Sequence, residues 1–295
     1  MWPTRPPVSE PWVCTVPAPW GMVRFDGRLT RVPGSTTIAV ILHGFGGTQN
    51  SAAVVRTAAA CSAAGLSSLR LNMRGADASG EDIYHAGLVE EVIAALASPE
   101  VAAYDHAVLV GHSLGGHVAL NTARVGAPNL RAVAAIGSPL DLATGCASID
   151  RFRATGYREH ILHTLRRIYR AFAERHPEQA PADPRVVARV RTIRAWDEHV
   201  VVPRHGFASV ADYHDSQSVA PHLASLRVPA LYLGSVRDPM VPLAIVEPIL
   251  RSAPSTLEIH MLDAGGHIAF PRSVSLGLPA SAGADAQVLA WLRSQ

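Results

Sequence analysis

The sequence predicts an α/β protein with a mostly parallel central sheet covered by helices on both faces. Short aliphatic runs with strand character alternate with longer segments whose apolar residues recur at helical spacing. This alternation stops after residue 140 and resumes near residue 227, which indicates a helical insertion in an otherwise regular core. With 295 residues, of which 48% are hydrophobic, the chain is long enough to bury one large core.

Each element of the core follows from its local pattern. Aliphatic runs predict the strands, and Ala-rich or amphipathic segments between them predict the helices. The predicted strands are 37–42, 66–71, 106–110, 130–136, 229–234 and 257–262, and the predicted helices are 51–64, 82–96, 114–125, 243–250 and 285–293.

Three regions follow from these elements. Residues 1–35 are rich in proline and predict an N-terminal arm, an extended segment or irregular hairpin laid over the domain. Residues 36–140 and 227–295 form the predicted core, and residues 141–226 form a predicted helical cap over the end of the sheet. Within the cap, an apolar stripe between residues 161 and 172 is expected to pack on the sheet domain or to line a pocket.

Charge and composition exclude several classes of function. The net charge is only +2, so no nucleic-acid partner is expected. All 26 basic residues are arginine, and the lack of lysine excludes phosphate-loop and Schiff-base lysines. The three cysteines are widely spaced, so no disulfide framework is expected. Without a secretory-signal pattern or an apolar run of ~18 residues, the expected location is the cytoplasm.

The segment 108–120 carries the strongest chemical signal. Its GHSLG sequence at 111–115 matches G-x-S-x-G between a predicted strand and a predicted helix. In that context the serine occupies a sharp turn, where side chains at the glycine positions would collide with the neighbouring strand and helix. The pattern predicts that Ser113 is a catalytic nucleophile, and a plain glycine-containing turn is the alternative.

A serine hydroxyl needs a base to become a good nucleophile. His267 follows the last predicted strand among small residues and is the predicted base. Asp238 follows the fifth predicted strand and is the predicted acid that orients the imidazole, which gives the chain order Ser, Asp, His. Asp141 is a rival acid, and Asp263 is expected to serve its own loop.

Two backbone amides are predicted to stabilise a developing oxyanion. They are the N–H of Leu114, at the helix start, and the N–H of Phe45, in the HGFGG turn after the first predicted strand. That turn fails the dinucleotide-binding pattern because Gln49 stands where a third glycine is needed. No metal site is predicted, since His160 and His163 lack a third ligand and the cysteines do not cluster. No cofactor is expected.

Further motifs carry a family resemblance along residues 36–270. They are NMRG at 72–75, IYHAG at 83–87, GHSLGG at 111–116, SPLDL at 138–142, WD at 196–197, HGF at 205–207, DY at 212–213, RDP at 237–239 and GGH at 265–267. Together they resemble the YheT-like branch of the α/β-hydrolases, which is similar to fungal acyl-CoA:alcohol acyltransferases/esterases and to animal lipases with this domain. The resemblance implies the α/β-hydrolase fold and a serine carboxyl-ester hydrolase with a Ser-Asp-His triad. The chain departs from that pattern at His117 in place of Asn, His214 in place of a second Tyr, and Ala269 in place of Gly.

The predicted function is hydrolysis of short- to medium-chain acyl esters through an acyl-enzyme, with a small-molecule acyl ester as the partner. An acyl-CoA:alcohol O-acyltransferase with the same triad and a non-catalytic binding protein of the same fold are the alternatives. The cap carries eleven arginines between Arg151 and Arg194, which indicates either a site for anionic groups or a solvated helical face. A weak contact of the cap with a membrane surface is a further open alternative.

Overall fold

An eight-stranded sheet runs through the centre of the molecule. A computed structural model describes residues 4–151 and 156–295. The strands are β1 (Glu10–Ala18), β2 (Gly21–Thr30), β3 (Thr37–Leu42), β4 (Ser67–Leu71), β5 (His106–His112), β6 (Leu130–Ile136), β7 (Ala230–Ser235) and β8 (Leu257–Leu262). Their order in the sheet is β1-β2-β4-β3-β5-β6-β7-β8. The first two strands pair antiparallel and all six others run parallel, which confirms the predicted mostly parallel sheet.

Helices connect and cover the strands. They are α1 (Ala52–Ala63), α2 (Glu90–Ala97), α3 (Pro99–Ala102), α4 (Leu114–Val125), α5 (Leu142–Arg151), α6 (Tyr157–Arg175), α7 (Pro184–Val187), α8 (Ile193–Trp196), α9 (Val202–His205), α10 (Val210–Gln217), α11 (Leu243–Leu250) and α12 (Ala284–Ser294). Short 3₁₀ segments lie at Pro177–Gln179 and Ala220–Ser225, and a π-helical turn spans Asp197–Val201. In the described residues, no helix is both long and apolar enough to cross a membrane.

The alternation of side chains along β3 shows why both faces need helices. Ile38, Val40 and Leu42 point into one hydrophobic cluster, and Ala39 and Ile41 point into the other. Residues of α2 and α4 complete the first cluster, whereas residues of α1 and α12 complete the second. Because both faces of the sheet are buried, functional groups are expected in the loops at the carboxyl ends of the strands.

The described residues between β6 and β7 contain helices and no strand, as the sequence predicts. The apolar stripe of α6 is buried and belongs to the same cluster as the sheet, so it packs on the sheet domain. The stripe consists of Ile161, Leu162, Leu165, Ile168, Tyr169 and Phe172. Of the eleven cap arginines, Arg153 lies outside the described residues.

Two predictions about local structure are corrected. Residues 10–30 form a regular hairpin that pairs with β4 at the sheet edge, whereas the prediction was an extended segment or irregular hairpin laid over the domain. Residues 82–89 are irregular, and the predicted helix over 82–96 begins only at Glu90. The reason is tertiary: Ile83 O lies 2.9 Å from His205 Nε2, and the Ala86 N–H donates to the Tyr213 hydroxyl. These contacts occupy backbone groups that a helix would use.

A buried ion-pair cluster connects this irregular segment to the cap. Asp82 Oδ2 accepts from Arg74 Nη1 at 3.1 Å, and its Oδ1 accepts from Arg204 Nε at 2.9 Å. The Arg204 guanidinium also lies over the ring of Trp20, 3.6 Å from its centroid, and over Phe172. The Asp82 carboxylate therefore joins the core to the cap. The Arg204 guanidinium that it binds packs on Trp20, in the turn of the β1–β2 hairpin.

Candidate active site

Ser113 lies between β5 and α4 in a backbone conformation that is rare for a residue with a side chain. Its φ is 53° and its ψ is −120°. The Ser113 N–H donates to Ile136 O at 2.8 Å, which fixes the turn against the neighbouring strand β6. Such strained positions are found where a structure holds a functional group in place. The hydroxyl consequently stands at the carboxyl end of the sheet.

The glycines of the GHSLG segment are required by close backbone approach. A Cβ at Gly111 would lie 2.2 Å from Gly115 O, and a Cβ at Gly115 would lie 2.5 Å from His43 O. Both neighbours are backbone atoms that cannot rotate away. The strand, the turn and the helix can therefore pack this closely only with glycine at these two positions.

Replacing Gly115 by alanine is expected to lower the free energy of unfolding by about 1–3 kcal/mol, because the new methyl group overlaps the β3 backbone. The displacement of Ser113 that relieves this overlap should lower kcat about 100-fold. Gly266→Ala is the matched control, since nothing lies within 4 Å of a Cβ at that position. Urea unfolding and ester hydrolysis measure both effects, and equal behaviour of the two variants would contradict the steric explanation.

Asp238 and His267 are hydrogen-bonded to each other. Asp238 Oδ2 lies 2.8 Å from His267 Nδ1, with both side chains almost fully buried. Asp238 Oδ1 accepts from the backbone N–H groups of Met240 and Val241 at 2.8 and 2.9 Å. The carboxylate is thus fixed by its own loop, and its second oxygen holds the imidazole.

The loop that carries His267 is itself held in shape. The Gly266 N–H donates to Ala269 O at 2.9 Å, and Ile268 has a positive φ of 47°. Arg56 Nη2 donates to Ile268 O at 3.2 Å, while Arg56 Nε pairs with Asp285 at 2.6 Å. An ion pair between α1 and α12 therefore anchors this loop.

Ser113 and the Asp238–His267 pair both lie beside the end of β6, which Gly137 follows. A Cβ at Gly137 would lie 3.0 Å from the Ile268 side chain and 3.5 Å from Asp238 Oδ2. Ser113 bonds to the residue immediately before Gly137. Within the described part of the chain, no hydrogen bond joins the Ser113 hydroxyl to the His267 ring. Catalytic hydrogen bonds are often long before substrate binds.

The two other candidate acids are placed differently. Asp141 accepts from the Thr144 N–H at 2.8 Å and from the Thr144 hydroxyl at 2.6 Å, so it serves the start of α5. Asp263 is exposed. Only Asp238 among the three contacts His267 in the described structure.

The HGFGG turn is fixed from two sides. The Gly46 N–H donates to the Tyr84 hydroxyl at 2.7 Å, and the Met73 N–H donates to His43 Nε2 at 3.2 Å. The Phe45 ring meets the Tyr84 ring edge-on. Phe45 and Leu114, the two predicted oxyanion residues, line the same cavity as Ser113.

This cavity has a volume of about 60 Å³ and a largely apolar wall. Its lining residues include Phe45, Leu142, Ile149, Ile193, Met240 and Val241. Three polar residues of the cap also line it, namely Cys146, Asp197 and His214. Sequence analysis singled out Asp197 within the WD motif and His214 as a departure from the family pattern, but it gave the three residues no shared role, because they come from separate segments of the chain.

His117, which departs from the family pattern, joins the core to the cap. Its ring is fully buried, and its two nitrogens face Pro139 O and Gln217 O at 2.9 Å each. Asn121 also donates to Gln217 O. This histidine therefore holds the end of α10 rather than lining the cavity.

Two buried histidines next to the site stay neutral at ordinary pH. His43 precedes the HGFGG turn's glycines and His112 precedes Ser113. Burial lowers the pKa of each ring from 6.5 to about 4, because an imidazolium in an apolar interior loses its hydration. His112 Nε2 lies 3.0 Å from the Thr57 hydroxyl, which in turn donates to Asp285.

Acidification is expected to destabilise the protein through His112. Its ring titrates near 6.5 when unfolded and at a pKa of about 4 when folded. A lowered folded pKa gives stability that is fully present above about pH 6.5 and is lost as the pH falls toward 4, because the unfolded chain then binds more protons. Between about pH 7.5 and about pH 5, this one ring should cost about 2 kcal/mol of unfolding free energy.

Urea unfolding of the wild type and of His112→Gln at both pH values measures this loss. The wild type should lose about 2 kcal/mol more than the variant. Burial raises the pKa of Glu91 and of Asp197, so these two carboxyls increase the free energy of unfolding as the pH falls. They are present in both proteins, so their contribution cancels in the comparison. The same pH dependence in both proteins would show that His112 does not titrate as expected.

Comparison with known proteins identifies the family. The model of the "Alpha/beta hydrolase family" matches residues 39–274. The chain belongs to the alpha/beta hydrolase family. This alpha/beta hydrolase is 29% identical over 180 residues to slr0264 of Synechocystis sp., covering 54% of this chain and 48% of that protein. It is 26% identical over 240 residues to YheT of Escherichia coli K12, covering 78% of this chain and 69% of that protein. Both relatives carry the word esterase in their names.

A third relative is abhd-3.2 of Caenorhabditis elegans, 28% identical over 167 residues, covering 55% of this chain and 44% of that protein. These relatives confirm the resemblance to the YheT-like branch. The alpha/beta hydrolase chain matches only about half the length of slr0264 and of abhd-3.2.

Solved structures show the same fold. The 2,6-dihydroxy-pseudo-oxynicotine hydrolase superposes with a TM-score of 0.58 at 18% identity, covering 89% of this chain and 63% of the other. The Pyrococcus furiosus esterase Pf2001 superposes with a TM-score of 0.56 at 15% identity, covering 88% of this chain and 85% of the other. At such identities the likeness concerns the alpha/beta hydrolase fold alone.

Proposed function

We propose that this alpha/beta hydrolase cleaves carboxylic esters of small molecules through an acyl-enzyme on Ser113. The observation that carries the proposal is the Asp238–His267 hydrogen bond of 2.8 Å, close to a serine held in a strained turn at an apolar cavity. The esterase names of slr0264 and YheT support the same reaction class.

Each residue has one task in the proposed reaction. The Ser113 hydroxyl attacks the ester carbonyl while His267 Nε2 takes its proton, and Asp238 holds the ring and stabilises the imidazolium. The backbone N–H groups of Phe45 and Leu114 donate to the oxyanion. His267 returns the proton to the departing alcohol. Water then attacks the acyl-enzyme with His267 as base, which releases the carboxylic acid and restores Ser113.

The cavity supports short- to medium-chain acyl groups as substrates. Its wall beside Ser113 is built from Leu142, Ile149, Ile193, Met240 and Val241, which favour an alkyl chain over a charged one. The cap supplies three of these side chains from α5 and α8. Acyl-chain preference therefore depends on the cap, whereas the reacting groups come from the core.

A chain-length series of p-nitrophenyl esters tests the proposal. Wild-type protein should hydrolyse the short- and medium-chain esters. If deacylation is the slower step, the reaction should begin with a burst of p-nitrophenol equal to the enzyme concentration. Ser113→Ala should show neither burst nor turnover. Absence of turnover by folded wild type across the whole series would refute the ester hydrolase. Adding ethanol to the same assay measures transfer, since ethyl ester would replace free acid as the product of an acyltransferase.

A further inference from the structure

Three side chains of the cap converge on one wall of the cavity. Cys146 comes from α5, Asp197 begins the π-helical turn, and His214 comes from α10. One ligand atom from each lies within 4.8 Å of the others. All three also line the cavity that contains Ser113. A thiol, a carboxylate and an imidazole thus face one space that solutes can enter.

The electrostatic surroundings of this cluster call for a cation. Asp197 is buried, and its one ion-pair partner in the described residues is His214, at 2.9 Å. No arginine pairs with Asp197 within the same residues, although the cap is rich in arginine. Asp150 Oδ2 lies 3.8 Å from Cys146 Sγ and adds a second negative group. Buried carboxylates of this kind are paired with a cation or coordinate a metal.

We propose that Cys146, Asp197 and His214 bind a thiophilic divalent cation of the zinc class in the wall of the cavity. A thiolate and a carboxylate offer a 2+ ion two negative charges, a neutral imidazole adds a third ligand, and Asp150 lies beside Cys146 outside this ligand set. Three protein ligands with a fourth position open to a cavity is a common zinc arrangement.

The geometry requires only a modest contraction. Zinc binds thiolate at about 2.3 Å and imidazole or carboxylate at about 2.0–2.2 Å, so tetrahedral ligand atoms stand roughly 3.3–3.6 Å apart. The His214–Asp197 pair at 2.9 Å has to open slightly, and Cys146 has to close in from at most 4.8 Å. The thiol selects zinc, cobalt or cadmium over magnesium and calcium, which prefer oxygen ligands.

A bound cation would inhibit the hydrolase, a consequence that rests on the proposed function. The cation and its open coordination position would occupy the side of the cavity where the acyl chain is expected to lie. Metal binding itself does not depend on that function, so it is measured separately.

The test is a titration of metal-free, full-length protein with Co²⁺, which reports thiolate ligation by a charge-transfer band in the near ultraviolet. We expect one equivalent of Co²⁺ with tetrahedral d–d bands, displaced by Zn²⁺. Cys146→Ser should lose the charge-transfer band. His214→Tyr, which restores the side chain of the resembling family at this position, should weaken binding at least about ten-fold. Cys14→Ser and Ser113→Ala are the controls and should bind as the wild type does.

The outcomes separate the site from the proposed function. Saturable wild-type binding that weakens at least about ten-fold in both Cys146→Ser and His214→Tyr, each with a wild-type thermal transition, supports the site even if no ester is turned over. If esters are turned over, Zn²⁺ should inhibit the wild type, and should inhibit His214→Tyr far less relative to that variant's own metal-free rate. Binding of wild-type strength in both variants, or no saturable binding by the wild type, would overturn the proposal.

Discussion

Asp238→Asn is expected to lower kcat for ester hydrolysis about 10⁴-fold with the fold unchanged. Asp238 Oδ1 is held by two backbone N–H groups, so an asparagine keeps its oxygen there and turns its NH₂ toward His267. The amide then donates to His267 Nδ1, so the ring proton lies on Nε2. A protonated Nε2 cannot accept the proton of Ser113. Steady-state hydrolysis of a p-nitrophenyl ester measures the loss.

Two neighbouring acids provide matched controls for this variant. Asp141→Asn keeps the oxygen that accepts from Thr144, and Asp263→Asn changes an exposed residue. Each should retain kcat within about two-fold, because neither contacts the His267 ring. A larger loss in Asp141→Asn than in Asp238→Asn would assign the orienting acid to Asp141 instead.

Asp82→Ala is expected to lower the free energy of unfolding by about 3–5 kcal/mol. Its carboxylate holds Arg74 and Arg204, and all three side chains are at most 5% exposed. Removing Asp82 leaves Arg204 buried over Trp20 without an anionic partner among the described residues. Urea unfolding measures the change, and the tryptophan fluorescence lost on Trp20→Phe substitution, compared between wild type and Asp82→Ala, reports whether the contact with the cap loosens.

An exposed ion pair serves as the comparison for the buried one. Glu247 pairs with Arg251 one helical turn later in α11, with both side chains largely exposed. Glu247→Ala should change the unfolding free energy by less than about 0.5 kcal/mol. A loss for Asp82→Ala as small as that for Glu247→Ala would show that the buried cluster does not stabilise the seating of the cap.

The parts of the fold that were predictable are those fixed by local pattern. Strand β3 and helix α4 have the predicted bounds, because an unbroken aliphatic run and a glycine-led turn each leave little choice of conformation. The position of Ser113 follows from the same local constraint. The hairpin at residues 10–30 was not recognised as part of the sheet, since pairing with β4 depends on contacts far away in the chain.

The candidate site was predictable only where it follows the strands. Asp238 and His267 each come after a strand, and their side chains lie next to each other in the structure. Choosing Asp238 over Asp141 from the sequence rested on order alone, whereas the hydrogen bonds distinguish them directly. The polar wall of Cys146, Asp197 and His214 could not be predicted, because it forms only when three cap segments pack together.

The central claim is that Ser113 is an activated nucleophile, and labelling with a small fluorophosphonate tests it most directly. The Ser113 oxygen would bond to phosphorus, fluoride would leave, and His267 would take the proton. The intact mass of the wild type should rise by one phosphonate group, while folded Ser113→Ala should stay unlabelled. Folded wild type that gains no adduct, or Ser113→Ala that still gains one, would contradict the account.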